Sequence, residues 1–336
     1  MPARPMISVA ATTGLTEAIV AAGGRPDEIL RAVGLGRSAL ANPHGFIACV
    51  AFTRLLEEAA RSTGELCFGL HFGEHFSPRN VGPLAYVALN SPTFAVGFEN
   101  IVRYHRVHND GVQMSFAIEG QWACARSRLT DPTEAPRQHN EFSSAVALNM
   151  MRLMAGSRWA PAEVHFAHPP PRDTSEHLRV FAAPVSFDHE TNAFVIAREF
   201  AERPVPAADS HLYPILKRYL DRTMKELPRE DGALAAVRKV IAESMRDGDP
   251  TLARVARRLA MSPRTLQRRL AEHATDFKRL VEDTRRRFST SYLRDPKQTL
   301  TEIAFMLGYS EVSAFNRAFK RWTGSTPSDY RRTARA

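Results

Sequence analysis

The sequence predicts an α+β domain over the first two-thirds of the chain, followed by an all-α domain with two helix-turn-helix motifs joined by a connecting helix. Three observations carry this prediction. Runs alternating with a two-residue period, such as "GVQMSFAIEG", break an otherwise helical reading of the first part. A pattern near residue 251 returns 48 residues later. Finally, from Ala235 to Ala336 there are 22 Lys/Arg against 11 Asp/Glu, while the rest of the chain has 23 against 25, so the whole +9 excess lies in the last hundred residues.

The first hundred residues read as packing helices. "DEILRAVG" opens with an acidic turn and stops at Gly34, and "VAFTRLLEEAARSTG" places Phe52, Leu55, Leu56 and Ala59 on one face before Gly64. "GVQMSFAIEG" and "WACARSRLT" then form an antiparallel hairpin through a Glu119-Gly120-Gln121 turn. "EVHFAH" and "AFVIA" join the same sheet, "EFSSAVALNMMRLMAG" between them is a buried helix, and "HPPP" ends a strand. Without strict βαβ alternation this is an α+β domain. After a helix "HLYPILKRYLDRTMKEL", the cluster "PREDG" marks a linker. The expected division is 1–225, a linker 226–233, and 234–336.

In the repeat, Leu252, Val255, Ala256, Leu259 and Ser262 match Leu300, Ile303, Ala304, Leu307 and Ser310; after a one-residue insertion, Leu266, Arg268 and Leu270 match Phe315, Arg317 and Phe319. Each copy is a short helix, a tight turn at Ala260-Met261 or Gly308-Tyr309, and a second helix capped by Ser262 or Ser310. The second helix of such a motif enters the major groove of DNA. Leu266 and Leu270 should face the core, leaving Arg264, Gln267 and Arg268 outward; Arg can read guanine and Gln adenine in bidentate fashion. In the second copy Phe315, Phe319 and Trp322 face inward, Val312, Ser313, Asn316 and Arg317 outward, and Lys320 and Arg321 suit phosphates. The plainer alternative, a solvated charged face, fits one isolated copy better than two copies in a basic domain. "DFKRLVEDTRRRFSTSYLRD" is long enough to be one helix setting both readers about one turn of DNA apart.

The segment "TLTEIAFMLGYSEVSAFNRAFKRWTGSTPSDYR" closely resembles the signature of AraC/XylS-type transcriptional regulators, and the resemblance runs from about Ala233 to Arg332. The N-terminal part resembles the arabinose-binding-like effector domain of the ornithine-utilisation-regulator subgroup, through "ILRAVGL", "GPLAYVALNSPT", "YHR", "VHFAHPPP" and "APVSFDHETNAFVI". Two departures stand out: Ala274 where the family has glycine, and Ser289 where alanine is common. The resemblance implies a cytoplasmic regulator with an N-terminal effector-binding and dimerisation domain. Its partners would be double-stranded promoter DNA, RNA polymerase, a small-molecule effector and a second copy of the chain, with activation the expected sign. Arg103, His105 and His139 are candidates for the effector pocket.

Competing motifs are weaker. "HFGEH" fits the H-x-x-E-H pattern of inverted zinc peptidases, with His71 and His75 as ligands and Glu74 as base, but Gly73 weakens the helix and no third acidic ligand follows. "HRVH" has i,i+3 spacing that could supply two metal ligands. No nucleophile elbow, P-loop or dinucleotide fingerprint is present, so no enzyme activity, metal or cofactor is expected. Cys49, Cys67 and Cys124 are odd in number and far apart, read as small core residues, and fit a reducing compartment. The N-terminus lacks the plan of a signal peptide, and no segment is apolar enough to span a membrane. Two other classes stay open: a metal-dependent hydrolase using His71, Glu74 and His75, and an architectural protein binding DNA without sequence preference.

Overall fold

The computed structural model describes residues 5–130, 136–227, 232–246, 248, 250–272, 275–294 and 298–333. The chain divides into a unit spanning Arg4–Leu227 and a second beginning at Pro228. In the first, β1 (Met6–Ser8) pairs antiparallel with β2 (Phe46–Ala48), a ribbon that the all-helical reading of this region missed. Strands of three residues are too short for their alternation to stand out in the sequence. Helices α1 (Leu15–Ala21), α2 (Pro26–Ala32), α3 (Cys49–Thr63), α4 (Phe68–His75), α5 (Pro83–Leu89) and α6 (Phe94–Tyr104) complete its first half. The stripe Phe52, Leu55, Leu56 and Ala59 on α3 is fully buried, as its helical spacing requires.

The hairpin forms as expected from β3 (Val112–Glu119) and β4 (Trp122–Leu129), with Glu119 opposite Trp122 and Gly120 at φ +62° in the turn. There follow α7 (Arg137–Ala155), β5 (Glu163–His165), α8 (Ser175–Phe181), β6 (Val185–Ser186), β7 (Asn192–Ala197), α9 (Arg198–Ala201) and α10 (Leu212–Glu226). The sheet order is β3-β4-β7-β5-β6, antiparallel except for β5 with β6, so the β5-α8-β6 segment is a single parallel crossover within an α+β unit. Helix α7 packs on both sides. Leu148, Met151 and Met154 join one core with Phe166, Phe181 and Phe194, and Phe142 joins another with Phe52, Phe72 and Phe76.

The described elements of the second unit are all helices: α11 (Gly232–Arg246), α12 (Leu252–Arg258), α13 (Pro263–Glu272), α14 (Phe277–Arg294), α15 (Leu300–Met306), α16 (Val312–Thr323) and α17 (Pro327–Thr333). The repeat seen in the sequence is repeated in hydrogen bonds. Thr251 caps α12 through Arg254 N at 3.3 Å, and Thr299 caps α15 through Glu302 N at 3.1 Å. Both helices end alike, with Met261 N bonded to Ala256 O and Tyr309 N to Ala304 O, each at 2.9 Å. Of the residues 226–233, positions 228–231 lie outside the described residues, as does Ala274. Ser289 is buried and donates its hydroxyl to Arg286 O at 2.8 Å, which satisfies the group that alanine would lack.

Candidate nucleic-acid interface

Each candidate recognition helix, α13 and α16, stands on its own apolar core. Leu266 and Leu270 of α13 are buried among Val237, Ile241, Val255 and Leu280. Phe315 and Phe319 of α16 are buried with Leu293, Ile303 and Leu307, and Tyr330 meets Phe319 edge-on at 5.3 Å. Fully burying a side chain of this size contributes about 1.5–3 kcal/mol, enough to fix the rotation of each helix about its axis. Helix α14 supplies both cores, with Leu280 and Val281 at one end and Leu293 at the other.

That rotation leaves Arg264, Gln267 and Arg268 exposed on α13; Arg268 Nε lies 3.9 Å from Glu272 Oε1, a loose i,i+4 approach. Ser262 caps this helix as expected, accepting from Thr265 N at 3.1 Å. The second copy departs from the expectation. Its cap is Glu311 rather than Ser310, because the one-residue insertion between copies moves the helix start along by one. Ser313 is exposed, with its hydroxyl donating to Glu311 Oε2 at 2.9 Å. Val312 is half-buried against the second core instead of facing outward, since it stands three and seven residues before Phe315 and Phe319. Asn316 is half-buried, and its Oδ1 is covered without a hydrogen-bond partner among the described residues. Arg317 and Lys320 are exposed. Arg321 is exposed but ion-paired through Nη2 with Glu282 Oε1 on α14 at 2.7 Å, a surface pair worth about 0–1 kcal/mol.

One residue of the basic run "TRRRF" organises the second turn. Arg285 of α14 donates from Nε to Leu307 O and from Nη2 to Gly308 O, both at 2.9 Å, and its guanidinium lies 4.3 Å from the Tyr309 ring centroid. Carbonyls at a helix C-terminus carry partial negative charge, so a buried-side guanidinium both satisfies and anchors them. Nothing local to "TRRRF" separates Arg285 from its neighbours; only its place opposite the turn does.

The other motifs are held by internal partners. His71 faces Glu176 Oε2 at 2.8 Å, Glu74 takes both Arg179 Nη atoms at 2.8 and 2.7 Å, and His75 Nδ1 lies 2.9 Å from the His71 carbonyl. The Arg179 guanidinium keeps the Glu74 carboxyl below its ordinary range, opposite to what a general base near neutrality requires. Arg103 is exposed and pairs with Asp221 Oδ1 at 2.9 Å; His105 lies between the carbonyls of Val102 and Val112, each at 2.8 Å. His139 is buried against Thr53 Oγ1 at 2.8 Å and edge-on to Phe52, and burial pushes its pKa down to about 4. Among the described residues these three side chains share no hydrogen-bond partner. The cysteines are free and buried, and burial, with the Glu141 charge, pushes the Cys67 thiol up to about 11. Among the described residues, no group of three His, Cys, Asp or Glu is disposed to hold a metal, and no helix is long and apolar enough to cross a membrane.

Two helix-turn-helix units fastened to one helix, in the part of the chain that holds all its basic excess, define a DNA-binding transcriptional regulator. The model of the arabinose-binding domain of AraC transcription regulators, N-terminal, matches residues 23–205, and that of a helix-turn-helix domain matches residues 255–333. The ornithine utilization regulator of Pseudomonas aeruginosa is 27% identical over 97% of this chain and 96% of its own. The HTH-type transcriptional regulator VirS of Mycobacterium tuberculosis is 30% identical over 95% of this chain and 94% of its own. The crystal structure of the transcriptional regulator CdpR from Pseudomonas aeruginosa covers 79% of this chain and 86% of its own at 23% identity and a TM-score of 0.41. The chain belongs to the AraC family of transcription regulators.

Proposed function

We propose that this regulator is a one-component, ligand-responsive activator. Residues 1–225 sense a small molecule and dimerise, residues 226–233 link, and residues 234–336 read two successive major-groove segments of promoter DNA beside RNA polymerase. The observation that carries the DNA-reading part is the pairing of two separately cored readers on one shared helix, with Arg264, Gln267 and Arg268 exposed on one and Ser313, Arg317 and Lys320 on the other. Arg321 joins the phosphate contacts if its pair with Glu282 opens, at the small cost of an exposed ion pair. The covered Oδ1 of Asn316 and the packed Val312 leave those two a supporting part in the second reader. Dimerisation is supported by α10, where Leu212, Ile215 and Tyr219 lie exposed at helical spacing while Leu220 is buried. For the effector to act, it must bind the DNA-competent state more tightly than the other.

Arg268→Ala and Arg317→Ala test the reading. Each should cost about 1–3 kcal/mol on the cognate site and relax base preference in one half-site only, measured by binding to a randomised operator library. Uniform weakening on all sequences would make the arginine a phosphate contact. Equal affinity for cognate and random competitor DNA would support the architectural alternative, since a specific regulator prefers its site by roughly a thousandfold or more.

A further inference from the structure

Strand β3 forms one border of the five-stranded sheet, and among the described residues it pairs only with β4. Its free side can be assigned residue by residue. Thr130 N donates to Gly111 O at 2.9 Å, so these two are a hydrogen-bonded pair, and in an antiparallel ladder such pairs alternate along the strand. The register runs unbroken from Val112 opposite Leu129 to Glu119 opposite Trp122, which turns the backbone of Gln113, Ser115, Ala117 and Glu119 towards β4. Val112, Met114, Phe116 and Ile118 therefore aim their N–H and C=O groups the other way. Val112 O is met by His105 Nε2 at 2.8 Å. Among the described residues, the outward groups of Met114, Phe116 and Ile118 meet no backbone partner.

An edge strand is ordinarily kept from pairing by brevity, a bulge, a proline or a lysine. The opposite border, β6, is short, with Val185 and Ser186 alone. β3 uses none of these devices: "VQMSFAIE" is 8 residues long, has no proline or lysine, and carries no bulge in its register with β4. Ile118 is moreover 39% exposed, on the face where Phe116 stacks on Phe98 at 4.9 Å.

The side chains decide what this edge accepts. When a second β3 is laid antiparallel to the first with Phe116 on the two-fold axis, Met114 stands opposite Ile118 of the second copy and Gln113 opposite its Glu119. The outward groups of Met114, Phe116 and Ile118 then exchange hydrogen bonds, and each Met114 covers an exposed Ile118. Charge agrees with this register. Arg128 of β4 leans over Gln113, with Nε and Nη2 at 3.0 and 2.8 Å from Gln113 Oε1, so Glu119 of the second copy arrives beside a guanidinium. Moving the axis to Ser115 would call on Val112, which His105 already engages, and moving it to Ala117 would call on Gly120 of the turn.

We infer that two copies of the chain join by antiparallel pairing of their β3 strands about Phe116, each sheet continuing into the other. This pairing deepens the dimerisation reading and rests on it, but it uses a surface other than α10. Each copy consumes the other's edge, so the assembly closes at a dimer.

The test is sedimentation velocity of the full-length protein over a dilution series at about 0.1 M salt, where only near charges feel one another. The wild type should be a dimer. Ile118→Pro removes an outward N–H and leaves the β4 ladder intact, while Glu119→Arg and Arg128→Glu each set like charges across the axis. Each change should weaken the dimer about tenfold or more, and Glu119→Arg combined with Arg128→Glu should recover most of the loss. Within one chain those two positions lie about 20 Å apart along the hairpin, so recovery reports the contact between copies. Circular dichroism checks folding, and if Ile118→Pro does not fold the charge exchange carries the comparison. Unchanged affinity in the folded single variants, or no recovery in the combined one, would overturn the pairing. A dimer that survives all of these but is lost in Ile215→Asp overturns the β3 edge and upholds dimerisation through α10. A wild type that is monomeric at every concentration overturns the dimerisation reading itself, and the edge pairing with it.

Discussion

Two turn residues at equivalent places in the repeat, Ala260 and Gly308, meet the same backbone demand with different chemistry. Both adopt the left-handed conformation, at φ +53° and +72°. Glycine takes it freely, but a residue with a Cβ gives up about 1 kcal/mol there. The two positions also differ in space, because a Cβ on Gly308 would lie 2.9 Å from the Gly248 carbonyl oxygen and 3.4 Å from Arg285 Nη2. Ala260→Gly is therefore expected to raise stability by up to about 1 kcal/mol, and Gly308→Ala to lower it by more than that. Denaturant unfolding of the full chain, followed through the helical signal, measures both. Because Arg285 holds the Leu307 and Gly308 carbonyls beside the second turn, Gly308→Ala should also weaken DNA binding where Ala260→Gly does not.

At the scale of elements, the decisive joint of the N-terminal unit is α4 against α7. Gly73, which weakens α4 as an isolated helix, is what lets α7 approach: a Cβ there would lie 2.6 Å from Phe142 O and 2.8 Å from Ala145 Cβ. Gly69, one turn earlier, is closer still, and a Cβ on it would overlap the Gln138 carbonyl. Gly69→Ala is accordingly expected to destabilise by about 1–3 kcal/mol through overpacking, although alanine is the better helix former, and thermal unfolding checks the sign. This joint shows where the sequence is readable. The hairpin, the stripe on α3 and both reader cores follow from periodicity, which depends on neighbours within one element. The use of Gly69 and Gly73, the cap at Glu311, the packed Val312 and the buried pairing of Glu141 with His177 depend on what another element brings within a few ångström. "HFGEH" reads as a metal motif only until α7 and α8 are in place, when its glycine faces a backbone and its glutamate faces Arg179.

For the molecule as a whole, charge is unevenly divided: the last hundred residues carry the positive excess, and the rest is near neutral. Such a partition makes DNA affinity depend steeply on salt through one part of the chain, so comparisons between sites must be made at fixed ionic strength. Within that part the spacing of the readers is set by α14, whose 18 residues span about 27 Å and whose ends are each locked into a separate core. A helix so anchored cannot lengthen or swivel without breaking a core, and it suits half-sites about one turn of DNA apart on one face. Inserting about five base pairs between the half-sites should therefore reduce affinity to that of a single half-site, because the second segment turns to the opposite face. Inserting about ten should not restore it, since the face returns but the distance does not. Fluorescence anisotropy with the three operators decides the matter. Recovery at the longer spacing would mean that the two half-sites are read by different subunits or across a flexible joint, and that α14 is not the ruler.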